Sequence, residues 1–276
     1  MSTHTEASAT GLAWYVYGVV DAADARAPAA VGVDGDVALL HEGPVAALVS
    51  RVPLDVYGEE PVRARLEDPV WLEDKARAHE AVLASALDSG PVVPFRFLTV
   101  YLGEDDLRAF LARKGDELRA VLDDVRGKIE LGVKAFVDRD RLGSGIARED
   151  SAVRELDEAI EAAAAGKAYL LRRQRDELVR ERCDRFLLES AQACHGRLAA
   201  VAEAAVANPP QSRELSGRPE EMVLNGAYLV PAEEDRLGDV LAALEAEYAP
   251  FGFAFELTGP WPPYNFVPRD TGRDDT

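Results

Sequence analysis

Two cysteines and four histidines are all the thiol and imidazole chemistry that this 276-residue chain holds. Cys183 and Cys194 fall within one strongly helical stretch, where their spacing amounts to about 16 Å of rise. That is beyond disulfide reach, so both are expected as reduced thiols, in keeping with a cytoplasmic address. No run approaches the roughly 18 apolar residues of a membrane span, and the opening MSTHTEASATG has neither the basic nor the apolar region of a secretory signal. These absences predict a cytoplasmic protein with no membrane partner. Positive charge is also scarce: 31 Lys and Arg stand against 50 Asp and Glu, a formal net charge of −19. Such a surface repels nucleic acid, so a phosphate-binding role would need a local basic patch.

The motifs of common chemistries are missing too. No HExxH, CxxC or His-carboxylate cluster has metal-ligand spacing, which predicts no metal and no cofactor. GVDGDVALL lacks the later oxygens of a calcium loop and reads as a turn. RLGSGIARED follows a strand and precedes a helix, yet has no P-loop lysine and reads as a charged loop. Cys194-His195 suggests a thiol beside a base, but neighbours on a helix point about 100° apart and do not meet. His79 reads as an amphipathic-helix residue at a sheet edge rather than a polar contact in a cleft. An RNA-stacking role for FAFEL or AFV would want flanking Lys and Arg, and core packing explains them better. No catalytic residue is predicted, and the chain is not read as an enzyme.

What is present is alternating sheet and helix. WYVYGVV at residues 14–20 is a β-branched and aromatic strand, and DVALLHEGPVAALVSRV is two strands around Glu42-Gly43-Pro44. Asp68-Pro69 opens a helix carrying Trp71, Leu72, Ala76, His79, Val82, Leu83 and Leu87 at helical spacing. VVPFRFLTVY is extended again, and a second helix over 104–124 buries Leu107, Phe110, Leu111, Leu118, Val121 and Leu122. A polar segment then marks a boundary. IELGVKAFVD restarts as a strand, and helix is predicted from Ser151 to about Ala207, with a break at Gly166 and a stripe running Val179, Cys183, Leu187, Ala191, Cys194, Leu198, Val201, Ala205. A strand over 222–231, a helix ending at Tyr248 and a strand over 252–259 complete the pattern. The fold class is therefore α+β in two domains: a leader (1–12) expected to be disordered, an N-terminal α+β domain (13–125), and a ferredoxin-like domain (126–258) with a long helix, lacking or displacing one strand. A C-terminal tail (259–276) follows.

The blocks WYVYGVV, HEAVL with GPVVPFRFLTVY, GKIELGVKAFVD, GKAYLLRRQRDE, AYLVP and LTGPWPPYNFV, in this order, resemble the gas vesicle protein GvpL/GvpF family across 15–267. The family motif residues are Pro94, Arg96, Phe97, Thr99 and Tyr228. One departure is Leu98, where the family usually has Gly; a leucine there predicts against a left-handed turn. The resemblance implies a two-domain protein with a modified ferredoxin-like second domain and a tail that joins the domains. It also implies a non-catalytic accessory protein of gas vesicle assembly, working with the small hydrophobic shell protein and with other accessory proteins. The alternative is a minor structural component retained on the vesicle, its gas-facing surface included.

The tail has its own physical reading. Phe253, Phe255 and Leu257 alternate as the inward face of a last strand, which Thr258-Gly259-Pro260 should end. Pro262-Pro263 favours a stiff extended path, while Trp261, Tyr264 and Phe266 can each bury about 150–250 Å². Pro260 to Phe266 is accordingly expected as a clamp across the domains rather than a frayed end; the alternative is an exposed proline-rich ligand for a partner.

Overall fold

The computed structural model describes residues 11–268. The expected disorder of the leader, His4 included, therefore falls almost wholly outside the described residues, as does the end of the tail. The chain divides into two compact units: residues up to Ile129 together with those from Trp261 on, and Glu130–Pro260.

The first unit is built on β1 (Leu12–Asp21), β2 (Ala38–Glu42), β3 (Val45–Pro53), β4 (Val92–Pro94) and β5 (Val100–Tyr101). Its sheet runs β2-β3-β1-β4, with β5 also pairing β1. Two short helices, α1 (Leu54–Tyr57) and α2 (Glu59–Arg65), lead to α3 (Pro69–Leu87), and α4 (Glu104–Asp124) follows β5. The start of α3 is the predicted one: the Asp68 carboxylate accepts from the Val70 and Trp71 N–H groups, with Pro69 at the first helical position. The helix packs Val82, Leu83 and Ala86 on the face of the sheet that carries Tyr15, Tyr17, Ala46 and Leu48. On the other face α4 packs Leu107, Phe110, Leu111, Leu118 and Leu122 against Val16, Val19, Ala47, Val49 and Phe95. A shift of register between Val16 and Gly18 changes which residues face which side, so that Tyr15 and Tyr17 share a face with Val20, and Val16 with Val19.

The second unit contains β6 (Lys128–Val137), α5 (Arg139–Glu149), α6 (Ser151–Glu161), α7 (Ala165–Ala199), β7 (Ala204–Ala207), α8 (Arg213–Ser216), β8 (Glu221–Pro231), α9 (Arg236–Tyr248) and β9 (Phe253–Trp261). Its sheet order is β7-β8-β6-β9. Counting strands along the chain, the order is that of a complete βαββαβ ferredoxin-like sheet. The expectation of a missing or displaced strand is corrected here. The fourth strand is β7, whose Ala-rich sequence reads as helix but whose residues Ala204–Ala207 pair antiparallel with Leu229–Gly226 of β8. Ladder hydrogen bonds override a helix propensity that is only a weak prior.

Four further expectations change. The predicted loop RLGSGIARED is α5, capped by Asp138 on the N–H groups of Asp140 and Arg141 and anchored by buried Leu142 and Ile146. The helical run breaks at 162–164, not at Gly166, which lies in the first turn of α7. The stripe holds for Cys183, Leu187, Cys194 and Leu198, but Val201 and Ala205 lie beyond the helix end. Finally, β9 continues through Gly259 and Pro260 to Trp261, and Leu257 is 45% exposed rather than inward. Pro260 is tolerated because β9 is an edge strand of this sheet.

Candidate functional site

In the first unit the sequence motifs converge. β1 carries Tyr15 and Tyr17 to the α3 face, and α3 delivers His79 one turn before Val82 and Leu83. The Tyr15 hydroxyl lies 2.9 Å from His79 Nδ1 and accepts from the Leu98 N–H at 3.2 Å. Tyr17 stacks obliquely on His79, and the edge of Phe97 meets the imidazole with centroids 5.8 Å apart. The Tyr17 hydroxyl in turn bonds Ser50 Oγ at 2.9 Å and accepts from the Val33 N–H at 2.8 Å, while Tyr57 donates to the Val33 carbonyl at 3.0 Å. The hydroxyls of Tyr15, Tyr17 and Tyr57 thus fasten to one another's neighbourhoods and tie the chain near Val33 to the sheet. Burial drives the phenols of Tyr15, Tyr17 and Tyr57 upward, so all three stay neutral.

His79 is 1% exposed, so neither a sheet-edge position nor a cleft contact describes it. Burial depresses its imidazole from 6.5 to about 4, the Phe95 backbone offsetting part of the effect. The neutral ring is the native form. Because the unfolded chain takes up this proton first, stability is fully present above pH 6.5 and falls as the pH drops towards about 4, by on the order of 3 kcal/mol. Urea midpoints measured from pH 7 to 4 should show this decline, and His79→Gln should flatten it between pH 6.5 and 5. Glu80, raised by burial, acts with the opposite sign because its protonation favours the folded state.

The motif around residues 94–99 forms the turn from β4 to β5. Pro94 is buried opposite Gly18, and Phe95 donates its N–H to the Tyr17 carbonyl at 2.8 Å. The exposed Arg96 accepts at its carbonyl from the Thr99 N–H at 3.1 Å and from Thr99 Oγ1 at 2.7 Å. Leu98, third in this turn, has φ +65°, alone among the described non-glycine residues. The left-handed turn is therefore present despite the leucine, contrary to expectation. Packing of Leu98 on the Tyr15–Tyr17 core and its bond to Tyr15 hold a conformation that costs an L-residue about 1–2 kcal/mol. Leu98→Gly should leave stability within about 1 kcal/mol, strain relief offsetting lost contact, whereas Leu98→Val should lose about 2 kcal/mol in thermal melts.

The described tail residues reach the same unit. Pro262 and Pro263 are buried, Tyr264 and Phe266 are half-buried, and Pro260 and Trp261 are exposed. Tyr264 packs on the α3-side core and donates its hydroxyl to Glu80 Oε1 at 2.8 Å, next to His79 in sequence. Val267 packs against the α4-side core. The neighbouring blocks HEAVL and PFRFLT and the distant PPYNF thus meet around α3.

In the second unit Tyr228, buried on β8, places its hydroxyl 2.9 Å from His195 Nδ1 on α7. This is possible because Gly226, two residues earlier on the same side of the strand, has no side chain: a Cβ there would lie 2.4 Å from the Tyr228 hydroxyl. Cys194 is 1% exposed, with its thiol pushed up to about 11 by burial, and His195 turns to Tyr228 instead. Both cysteines are free. A groove of about 550 Å³ beside α5 and α7 is lined by Arg139, Arg175 and Arg180. Arg139 is bound to Asp184 and Glu221, and Arg175 to Asp157, so two of its three cations are already neutralised. Among the described residues no group of three or more His, Cys, Asp or Glu is placed to hold a metal, and no helix is long and apolar enough to cross a membrane.

Fold and site together define a two-unit α+β protein whose motif residues fasten strands, helices and tail to one another. The sequence matches the family described as gas vesicle synthesis protein GvpL/GvpF over residues 13–268, and the chain belongs to that family. It is 34% identical to gas vesicle protein L of Streptomyces sp. (strain CB03234), covering 92% of each chain. It is 30% identical to gas vesicle protein F of the same strain, covering 92% of this chain and 98% of that one. The fold is shared with the crystal structure of GvpF from Anabaena sp. PCC7120, with a TM-score of 0.68 and 18% identity over 92% of this chain and 97% of the other. The GvpF structure from Microcystis aeruginosa gives a TM-score of 0.62 and 17% identity, over 92% of this chain and 98% of that one.

Proposed function

We propose that this gas vesicle accessory protein acts without catalysis, binding the small hydrophobic shell subunit, limiting its premature aggregation and delivering it to the growing vesicle. The observation that carries this reading is family membership along 13–268, which leaves almost no part of the described chain for a separate activity. Physical chemistry supports it. A shell subunit with an apolar face for the gas side aggregates unless it is held, and a carrier with a net charge of −19 keeps the complex dispersed. Other vesicle accessory proteins are further partners in this reading. The tail, docked on the first unit, is read as the piece that ties the two domains. Co-production with the shell subunit is the test: a complex that survives two purification steps is expected, and shell subunit that pellets alone would refute the reading.

A further inference from the structure

We propose that the outward face of the first turns of α7 is a docking site for an acidic amphipathic helix of a partner protein. This rests on the reading above that the protein works by holding partners, and names one surface and the chemistry that fits it.

α6 and α7 form a helical hairpin joined by 162–164, with Val153 and Ala168 buried and Arg175 bound to Asp157 at 2.8 Å. That packing uses one side of α7. On the outward side Tyr169 is 61% and Leu170 65% exposed, two consecutive residues that point about 100° apart and so widen the outward surface near the start of a long helix. Arg172 and Arg173 follow at the three- and four-residue spacings that put them on the same surface, with Lys167 beside Leu170. Among the described residues none of these three cations is engaged in an ion pair. Over 165–180 five basic residues stand against two acidic ones, although the chain as a whole is strongly acidic. An exposed Tyr-Leu pair framed by unneutralised cations calls for an occupant with an apolar stripe edged by carboxylates. Charge also favours this contact, since the net charge of −19 disfavours an acidic partner over most of the rest of the chain. Arginine and tyrosine are the side chains that most often dominate protein interfaces.

The probe is a fluorescent amphipathic helical peptide of Leu, Ala and Glu, compared with the same peptide carrying Gln for each Glu. The full chain should bind the Glu peptide at least about tenfold tighter at about 50 mM salt, and the advantage should shrink near 500 mM. Arg172→Glu with Arg173→Glu should remove it, and Tyr169→Ala with Leu170→Ala should weaken both peptides, each with an unchanged melting temperature. If charge reversal disturbs folding, Arg172→Gln with Arg173→Gln should still cost most of the advantage. Equal binding of the two peptides, or full binding by the variants, overturns the proposal. So does a dimer in sedimentation that charge reversal dissolves while the Glu peptide fails to bind, a result that gives the face to a second copy of this chain. Loss of shell-subunit co-purification with intact peptide binding would sink only the shell reading; the reverse result would sink only this surface.

Discussion

Replacing Gly18 with alanine is expected to destabilise the first unit by about 3 kcal/mol or more, enough to leave it largely unfolded at physiological temperature. Gly18 sits in β1 where the register shifts, between β3 and β4. A Cβ there would lie 2.6 Å from the Val93 carbonyl oxygen, 3.0 Å from Leu83 Cδ2 and 3.2 Å from Pro94 Cα. Two of these three neighbours are backbone, and the leucine belongs to a fully buried core, so no flexible side-chain end can move aside. The damage should reach both faces of the sheet, because β1 supplies Tyr15 and Tyr17 to one and Val16 and Val19 to the other. Gly196→Ala is the internal control. Nothing lies within 4 Å of a Cβ there, and the exposed helical position should gain about 0.5–1 kcal/mol. Thermal melts followed by circular dichroism would show the two substitutions moving in opposite directions.

Ending the chain at Pro260 should cost about 2–4 kcal/mol in the first unit, the second large effect. Truncation removes Tyr264 and Val267, each packed against one of the two cores, and two buried prolines. It also strips Glu80 of the hydroxyl that solvates its half-buried carboxylate. Tyr264→Phe isolates that bond and should account for about 1 kcal/mol of the loss. Faster proteolysis of the truncated chain, together with a lowered melting temperature, would establish the tail as a structural part of the unit. Unchanged stability would instead assign these aromatics and prolines to a partner.

Local signals were legible where chemistry and periodicity agree. Asp68-Pro69 announces α3, the alternation in IELGVKAFVD announces β6, and Glu42-Gly43-Pro44 marks the turn from β2 to β3. Signals failed where tertiary contacts outvote composition. Gly143-Ser144-Gly145 looks like a loop, yet Leu142 and Ile146 bury on one helical face. Ala204–Ala207 is composed of helix formers and a valine, but its partner β8 makes it a strand. Leu98 shows the same in a single residue, since packing holds a left-handed turn that its side chain disfavours.

The site was legible only in parts. Its motif residues stand out in the sequence through aromatics and prolines, but Tyr15 and His79 are 64 positions apart and Tyr264 and Glu80 are 184 apart. No spacing rule joins them; the pairing is created by sheet order and by the return of the tail. The depressed His79 likewise depends on burial that a helical wheel cannot distinguish from an edge position.

The proposed stoichiometric binding of the shell subunit is read out by light scattering as shell subunit is diluted from denaturant into increasing amounts of the purified chain. Scattering should fall in proportion to added chain and reach its minimum at a fixed molar ratio, with no time-dependent turnover. Scattering that is unaffected at excess chain, or that a trace of chain suppresses completely, would contradict stoichiometric binding.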